Sequence, residues 1–197
     1  MRMLIMLAWL MVPVVAGAYH FGPGQDHLAA ERVAAIIAQA ESHADAEEWA
    51  QAEQQYEAAL QLLPAEDVAT ARRLRLERAK AQMFVKKLPA AHAELKGLVD
   101  ELSEDAKADP KVLAESRAAL ANSRYYMTWL MRLEGKPKEK WMPEVEAARQ
   151  TYRLLAAKYE KEGNATAAKS CRQDLESTIR LARMDLSDLQ GLPLPSQ

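Results

Sequence analysis

The chain has 197 residues, of which 49% are hydrophobic and 27% are charged, and its formal net charge is -2. This composition is typical of a globular chain and excludes a disordered one, and the near-neutral charge gives no support to nucleic-acid binding. The chain has only 7 glycines and no run of β-branched residues, which favours helix over almost its whole length.

Residues 1–18 have the three parts of a secretory signal peptide. Arg2 is followed by the apolar run "LIMLAWLMVPVV" and by the small residues "AGA", so we expect cleavage after Ala18. The apolar run is shorter than the ~20 residues that span a bilayer. We therefore predict a periplasmic or extracellular protein with no stable membrane span, with an uncleaved N-terminal membrane anchor as the alternative.

Caps, prolines and glycines divide the rest of the chain into seven predicted helices. The stretch "FGPG" predicts a linker turn over residues 19–25, and the stretch "GLPLPSQ" predicts an extended tail over residues 190–197. Short connections imply antiparallel neighbouring helices. The predicted helices run from Asp26 to about Ala44, Asp45 to Pro64, Asp67 to Lys87, onward from Pro89, Pro110 to Gly135, onward from Pro143, and from Asn164 to about Leu189.

One spacing of small and aromatic residues occurs three times along these helices. Ala52 is followed by Tyr56, Ala59 and the helix-stopping Pro64, and Ala40 lies twelve residues earlier. Two weaker copies follow, the first of them 39 residues later: Ala79 with Ala91, Leu95 and Leu98, and then Ala148 with Tyr152 and Leu155. Small residues let two helices approach closely, and the aromatic side chain fills the gap between helix pairs.

This spacing resembles the tetratricopeptide repeat (TPR) family over about residues 26–160. The resemblance implies an all-α fold over residues 26–189, with antiparallel helix pairs stacked as a short α-solenoid and the helix 164–189 as a C-terminal cap. A four-helix bundle with an extra pair is the alternative.

The resemblance also implies a groove lined by the first helix of each pair. In the basic stretch "ARRLRLERAK" and its continuation, the groove positions are Arg73, Leu76, Lys80 and Met83, a mixed basic and apolar surface suited to an acidic or amphipathic peptide. The alternative is a solvated helix face with charge pairs from Glu77 to Lys80 and Arg73. Ile37 and Glu41 replace the Lys and Asn with which such repeats clamp a peptide carboxylate, so a chaperone-tail receptor is not expected.

The stretch "SRYYMTWLMRLEG" is the most aromatic part of the chain. Tyr125 and Trp129 share one helix face, and a helix that is apolar nearly all round is typical of a core buried on two sides. The alternative is a ligand or peptide pocket with Arg124 and Arg132 as polar anchors. Trp141 could fold back on the cluster in either case.

Nothing in the sequence predicts catalysis, a cofactor or a metal. The four histidines lack i, i+4 spacing, no nucleophile or phosphate-binding motif is present, and Cys171 is the single cysteine, best explained as a buried apolar residue. We therefore expect a non-enzymatic protein–protein interaction or scaffold module that binds a peptide or partner surface. The alternatives are a self-associating envelope element and, less favoured, a small-ligand-binding helical protein.

Overall fold

The computed structural model describes residues 23–189, together with residues 9 and 11. The predicted signal peptide apart from those two residues, the start of the linker and the tail 190–197 lie outside the described residues. The described part contains α-helices and no strand, so the all-α prediction is confirmed. Within it, no helix is both long and apolar enough to cross a bilayer.

The described residues form eight helices in chain order. They are α1 Pro23–Asp45, α2 Trp49–Leu62, α3 Val68–Phe84, α4 Leu88–Glu104, α5 Pro110–Leu133, α6 Lys138–Lys161, α7 Ala165–Arg183 and the short α8 Leu186–Leu189.

The chain divides into two compact units, with the boundary between Asp67 and Val68. This boundary lies inside the range 26–189 that the sequence presents as one domain. In the first unit α1 packs against α2, and in the second each of the long helices α3 to α7 packs against the next. Within the second unit α5 also contacts α3, α7 and α8.

Ion pairs between α3 and α4 establish that these two helices are antiparallel. Arg72, near the start of α3, pairs with Asp105 just beyond the end of α4, whereas Arg75 pairs with Glu94 in the first half of α4. The later arginine on α3 thus pairs with the earlier residue on α4, which is the order expected of antiparallel helices.

The alanine, tyrosine and leucine residues of the repeat spacing are all buried, whereas Pro64 is exposed. Ala40, Ala52, Tyr56 and Ala59 are buried in the first unit. In the second unit the same holds for Ala79, Ala91, Leu95, Leu98, Ala148, Tyr152 and Leu155. These positions therefore pack against other helices, as the spacing predicts, whereas a stacked solenoid stays a prediction.

The turns inside the first two helix pairs recur at the same interval as this spacing. Glu47 has φ 58° and Lys86 has φ 63°, and both are left-handed residues that follow the first helix of a pair. The two positions are 39 residues apart, and each precedes the first buried alanine of its second helix, Ala52 or Ala91, by five residues. The chain thus repeats its turn conformation along with its packing residues.

Several predicted helix boundaries are confirmed by their capping contacts. The Asp109 side chain accepts a hydrogen bond from the Lys111 N–H at 2.8 Å, and the Asn164 side chain accepts one from the Ala167 N–H at 3.1 Å. Gly135 and Gly163 have φ 68° and 72°, the left-handed conformation in which chains leave helices.

Other predicted boundaries are wrong. α1 begins at Pro23, within the predicted turn, and continues to Asp45, and the left-handed Glu47 separates it from α2, which starts at Trp49 and not at Asp45. α6 begins at Lys138, so Pro143 lies inside it. The missing proline N–H removes one helical hydrogen bond, and the burial of Trp141 on the same helix offsets that loss.

We predict that Lys86→Gly stabilises the second unit. Lys86 is exposed and left-handed, a conformation that costs a residue with a Cβ about 1 kcal/mol and costs glycine almost nothing. Glycine also gains conformational freedom in the unfolded chain, which cancels part of this stabilisation. We therefore expect urea titrations to show a free energy of unfolding that is higher by about 0.5–1 kcal/mol.

The matched substitution of opposite sign is Gly163→Ala, which places a Cβ at φ 72° with nothing within 4 Å of it. It should destabilise by about 1 kcal/mol through backbone strain alone. A decrease in stability for Lys86→Gly would contradict the assigned turn conformation.

Candidate partner-binding surfaces

Most of the basic residues of α3 are used inside the second unit. Arg72 donates to Glu101 and to Asp105, each at 2.7 Å, and Arg75 donates to Glu94 at 2.5 Å and to Glu101 at 2.6 Å. These partners lie on α4 or at its end. The stretch that looks like a basic binding surface in the sequence is therefore largely a ladder of ion pairs between two helices.

This ladder lowers the pKa values of its carboxylates. Hydrogen bonds from Arg72 and then from Arg75 hold the pKa of Glu101 below its ordinary value. A hydrogen bond from Arg72, with a second from the Lys107 N–H, does the same for Asp105. The charges are partly open to solvent, so each pair contributes little stability by itself. Their main effect is to align α3 with α4.

The four predicted groove residues do not share one environment. Arg73 is exposed, and Lys80 pairs with Glu77 at 2.9 Å and lies 4.0 Å from Glu115 on α5. Leu76 is 0% exposed in the core, where it packs with Leu95 and Leu98, and Met83 is partly buried. The prediction that Leu76 lines an open groove is therefore wrong, because the helix turns this position towards α4.

What remains at least partly open to solvent is a charged surface across two helices, in which Arg73 is exposed and the other residues are partly buried. We call Arg73, Glu77, Lys80 and Glu115 the α3–α5 face. The pair from Glu77 to Lys80 confirms one of the two charge pairs that the sequence predicts. The face carries two cations and two carboxylates, so it is balanced and polar rather than the mixed basic and apolar surface expected from the sequence.

The aromatic residues of α5 form a core. Tyr125, Tyr126 and Trp141 are buried in one cluster with Leu181, and the two tyrosine rings meet edge to face with centroids 5.7 Å apart. Trp129 is partly buried against the same cluster. Trp141 thus folds back on the aromatic stretch as expected, and the arrangement matches an inter-helix core.

Methionine surrounds this aromatic cluster. Every methionine between residues 23 and 189 packs against it: Met83, Met127, Met131, Met142 and Met184. Thioether side chains are flexible and make favourable contacts with aromatic rings, so they fill irregular gaps. Met83, expected in the groove of α3, belongs to this cluster instead.

Arg132 holds the end of α7 in place. Its guanidinium donates to the carbonyl oxygens of Leu181 and Met184 and stacks over the Trp141 ring, 4.9 Å from the centroid. Burial lowers the pKa of Arg132, although a guanidinium stays charged. α7 ends at Arg183, where Met184 takes an extended conformation, and does not run on to Leu189 as predicted. The bonds from Arg132 satisfy carbonyls at this helix end.

The structure therefore gives the two predicted arginine anchors structural partners. Arg132 binds main-chain carbonyls, and Arg124 pairs with Glu144 on α6 at 3.3 Å. Of the predicted partner-binding residues, Tyr125, Trp129, Arg132 and Trp141 come together with Met83, whereas Arg124 serves the contact between α5 and α6.

The cluster contains residues that the sequence analysis did not single out. Leu189 is fully buried in it, and Met184 packs against its edge. The alternation of apolar and acidic residues in "MDLSDL" was the available signal, but a segment this short has no clear periodicity. Beside it lies a pocket of about 500 Å³, lined by Glu176, Ile179, Arg180, Arg183, Met184 and Asp188.

A polar contact also joins α4 to α5. The Ser123 hydroxyl donates to the Leu120 carbonyl at 2.8 Å, and His92 Nδ1 lies 3.1 Å from the same oxygen. A hydroxyl carries one proton, so His92 Nδ1 donates to it and Nε2 holds the lone pair. Partial burial lowers the pKa of His92, with Glu144 acting in the opposite direction and Arg124 adding to the decrease.

In the described part of the chain, the titratable side chains show no arrangement suited to metal binding. Among residues 23–189, no group of three His, Cys, Asp or Glu side chains could hold a metal ion. Cys171 is buried with a free thiol whose pKa is raised by burial, which disfavours the nucleophilic thiolate.

Comparisons of the sequence with models of protein families and with curated proteins found no match. The resemblance to tetratricopeptide repeats therefore depends on the spacing itself.

We predict that mild acid destabilises the protein through His92. Its folded-state pKa lies below the unfolded value of about 6.5, so the unfolded chain takes up a proton first as the pH falls. Stability is therefore complete above about pH 6.5 and decreases below it. Thermal unfolding midpoints between pH 7.5 and 5.5 should show this decrease, and His92→Gln should reduce it.

The control for this measurement is His27→Gln, which changes an exposed histidine of α1. It should leave the pH dependence of the parent unchanged. Because Lys96, Arg124 and Glu144 act on His92, an equal pH dependence in His92→Gln and the parent would show that their fields cancel the effect of burial.

We predict that Arg132→Gln lowers stability by about 2–3 kcal/mol, since it removes charged hydrogen bonds to two carbonyls and the contact with Trp141. Urea unfolding followed by tryptophan fluorescence measures the change. The control is Arg183→Gln on the exposed side of α7, expected to change stability by less than about 0.5 kcal/mol. Equal effects of the two substitutions would contradict this role for Arg132.

Proposed function

We propose that this protein is a non-catalytic protein-binding module, built from tetratricopeptide-like helix pairs and exported to the bacterial periplasm or cell envelope. Support for the repeats comes from the buried spacing residues and from the left-handed turns at Glu47 and Lys86. Support for export comes from the three-part composition of residues 1–18.

The observation that carries the proposal is the contact between α3 and α5, the first helices of two consecutive pairs. Side-by-side first helices form one continuous surface, and a partner segment lying across both can contact several side chains at once. Lys80, which faces Glu115 across the two helices, lies on this surface.

The partner that fits the α3–α5 face is a polar segment carrying both signs of charge. Arg73 offers an exposed guanidinium, which binds carboxylates in two-point geometry, while Glu77 and Glu115 offer acceptors to lysine or arginine. Contacts of this kind give specificity and association rate more than affinity. We therefore expect a transient, salt-dependent interaction.

We predict that Arg73→Glu/Lys80→Glu loses the partner. Reversing two charges places four carboxylates on the face, so an acidic group of the partner is repelled and binding falls by at least about tenfold. The measurement is cross-linked capture from an envelope extract, with the mature protein as bait and quantitative mass spectrometry as readout.

The matched control is Arg149→Glu/Lys158→Glu on α6, where Arg149 pairs with Glu146 of the same helix and Lys158 with Glu162 just beyond its end. It makes the same charge change away from the α3–α5 face and should retain the partner. Loss in both variants, or in neither, would contradict binding through this face. Capture of the protein's own copies alone would favour the self-associating alternative.

A further inference from the structure

The last described segment of the chain is attached to the second unit by one side chain. In α8 only Leu189 is buried, at 0% exposure, while Leu186 is 49% exposed and Ser187 and Asp188 are also exposed. The helix has four residues, far fewer than an isolated helix needs to be stable in water. The position of α8 therefore depends on what Leu189 contacts.

Leu189 belongs to a buried cluster to which four other helices contribute, and α8 contacts α5 among them. We call the other buried members of this cluster the leucine socket: Leu88 of α4, Tyr125 and Tyr126 of α5, Trp141 and Val145 of α6, and Leu181 of α7. All six are buried. Sites of this kind, an apolar pocket lined by aromatic rings, are where interfaces concentrate their binding energy.

The lining of the socket suits more than one occupant. The five methionines around it are only partly buried, and their side chains repack readily around different apolar groups. Such methionine-rich surfaces are used by proteins that accept several partner segments.

The socket lies next to a second recognition surface. The pocket of about 500 Å³ beside α8 is lined on α7 by Glu176, Ile179, Arg180 and Arg183, and Met184 and Asp188 of the last segment complete it. The segment over it reads "MDLSDL", with an acidic residue before each leucine. Apart from Asp188, which belongs to the segment itself, the pocket carries two arginines and one carboxylate, Glu176, so an acidic segment meets a net positive charge.

We propose that the leucine socket is a binding site for an acidic, leucine-bearing helical segment of a partner protein, and that α8 occupies it in cis. α8 is a displaceable plug: a partner leucine takes the place of Leu189, and partner carboxylates contact Arg180 and Arg183. This site is separate from the α3–α5 face and does not depend on it.

The energetics favour displacement. Opening α8 exposes one leucine and frees the backbone from Asp185 onward, beyond the Met184 carbonyl that Arg132 binds, and the conformational entropy gained offsets much of the lost burial. The tether keeps the cis leucine at an effective concentration on the order of millimolar, so a free peptide competes poorly with it. Truncating the Leu189 side chain empties the socket and so removes that competition.

The test uses the synthetic peptide MDLSDL, with blocked ends, titrated into the full-length protein. Methyl NMR signals of Met127, Met131 and Met142 report on the socket. We expect Leu189→Ala to bind the peptide at least about tenfold more tightly than the parent, because the fraction of open sockets rises. The variant peptide with alanine in place of its last leucine should produce no shifts.

The matched control is Leu186→Ala, which removes an exposed leucine from the same short helix and should bind the peptide like the parent. Equal affinities of Leu189→Ala and the parent would overturn the proposal, as would equal shifts with the alanine peptide.

A measurement on the parent covers the case in which Leu189→Ala fails to fold. The amides of Asp188 and Leu189 bond to the Asp185 carbonyl, and a displaceable plug requires them to exchange with deuterium by local opening, at least about a hundredfold faster than amides in the middle of α5. Protection equal to that of α5 would show that α8 opens only when the protein unfolds, and the proposal would fail.

Discussion

Close approach of neighbouring helices through alanine is the constraint on which the structure depends. Each of the seven long helices carries at least one fully buried alanine: Ala40, Ala52, Ala59, Ala79, Ala91, Ala121, Ala148 and Ala168. A methyl group at a contact lets two helix backbones come near each other, and the larger side chains beside it then interdigitate at interior density. The alanines thus decide where helices touch, and the leucines and aromatics fill the remaining space.

The ion pairs between α3 and α4 act on the alignment of the two helices along their axes. Apolar packing has little directional preference, so two antiparallel helices could slide by a turn at modest cost. Arg72 with Asp105 and Arg75 with Glu94 join specific positions along the two helices, which favours one alignment over its neighbours. A basic stretch in a helical sequence can therefore align two helices or bind a partner. The cations that stay exposed after the ion pairs have formed are the ones available to a partner.

The C-terminal part of the second unit combines a rigid element with an adaptable one. Arg132 fixes the end of α7 through two carbonyls, whereas the methionines around Tyr125 and Trp141 leave the adjacent core deformable. A fixed helix end beside a soft apolar core is suited to holding a short segment that exchanges with another. The aromatic stretch is a core, and under our proposal it is also the floor of a binding site, which would join the two interpretations that the sequence left open.

The sequence by itself determined the helical class, the capped ends at Asp109 and Asn164, and the burial of the spacing residues, because these depend on local propensity and periodicity. Only the tertiary structure decided the rest. Pro143 lies inside α6 because Trp141 is held in the core, and the carbonyls at the end of α7 are bound by a distant arginine. Leu76 faces inward because α4 lies beside it. Each of these outcomes depends on a contact between residues far apart in the chain, which no local pattern specifies.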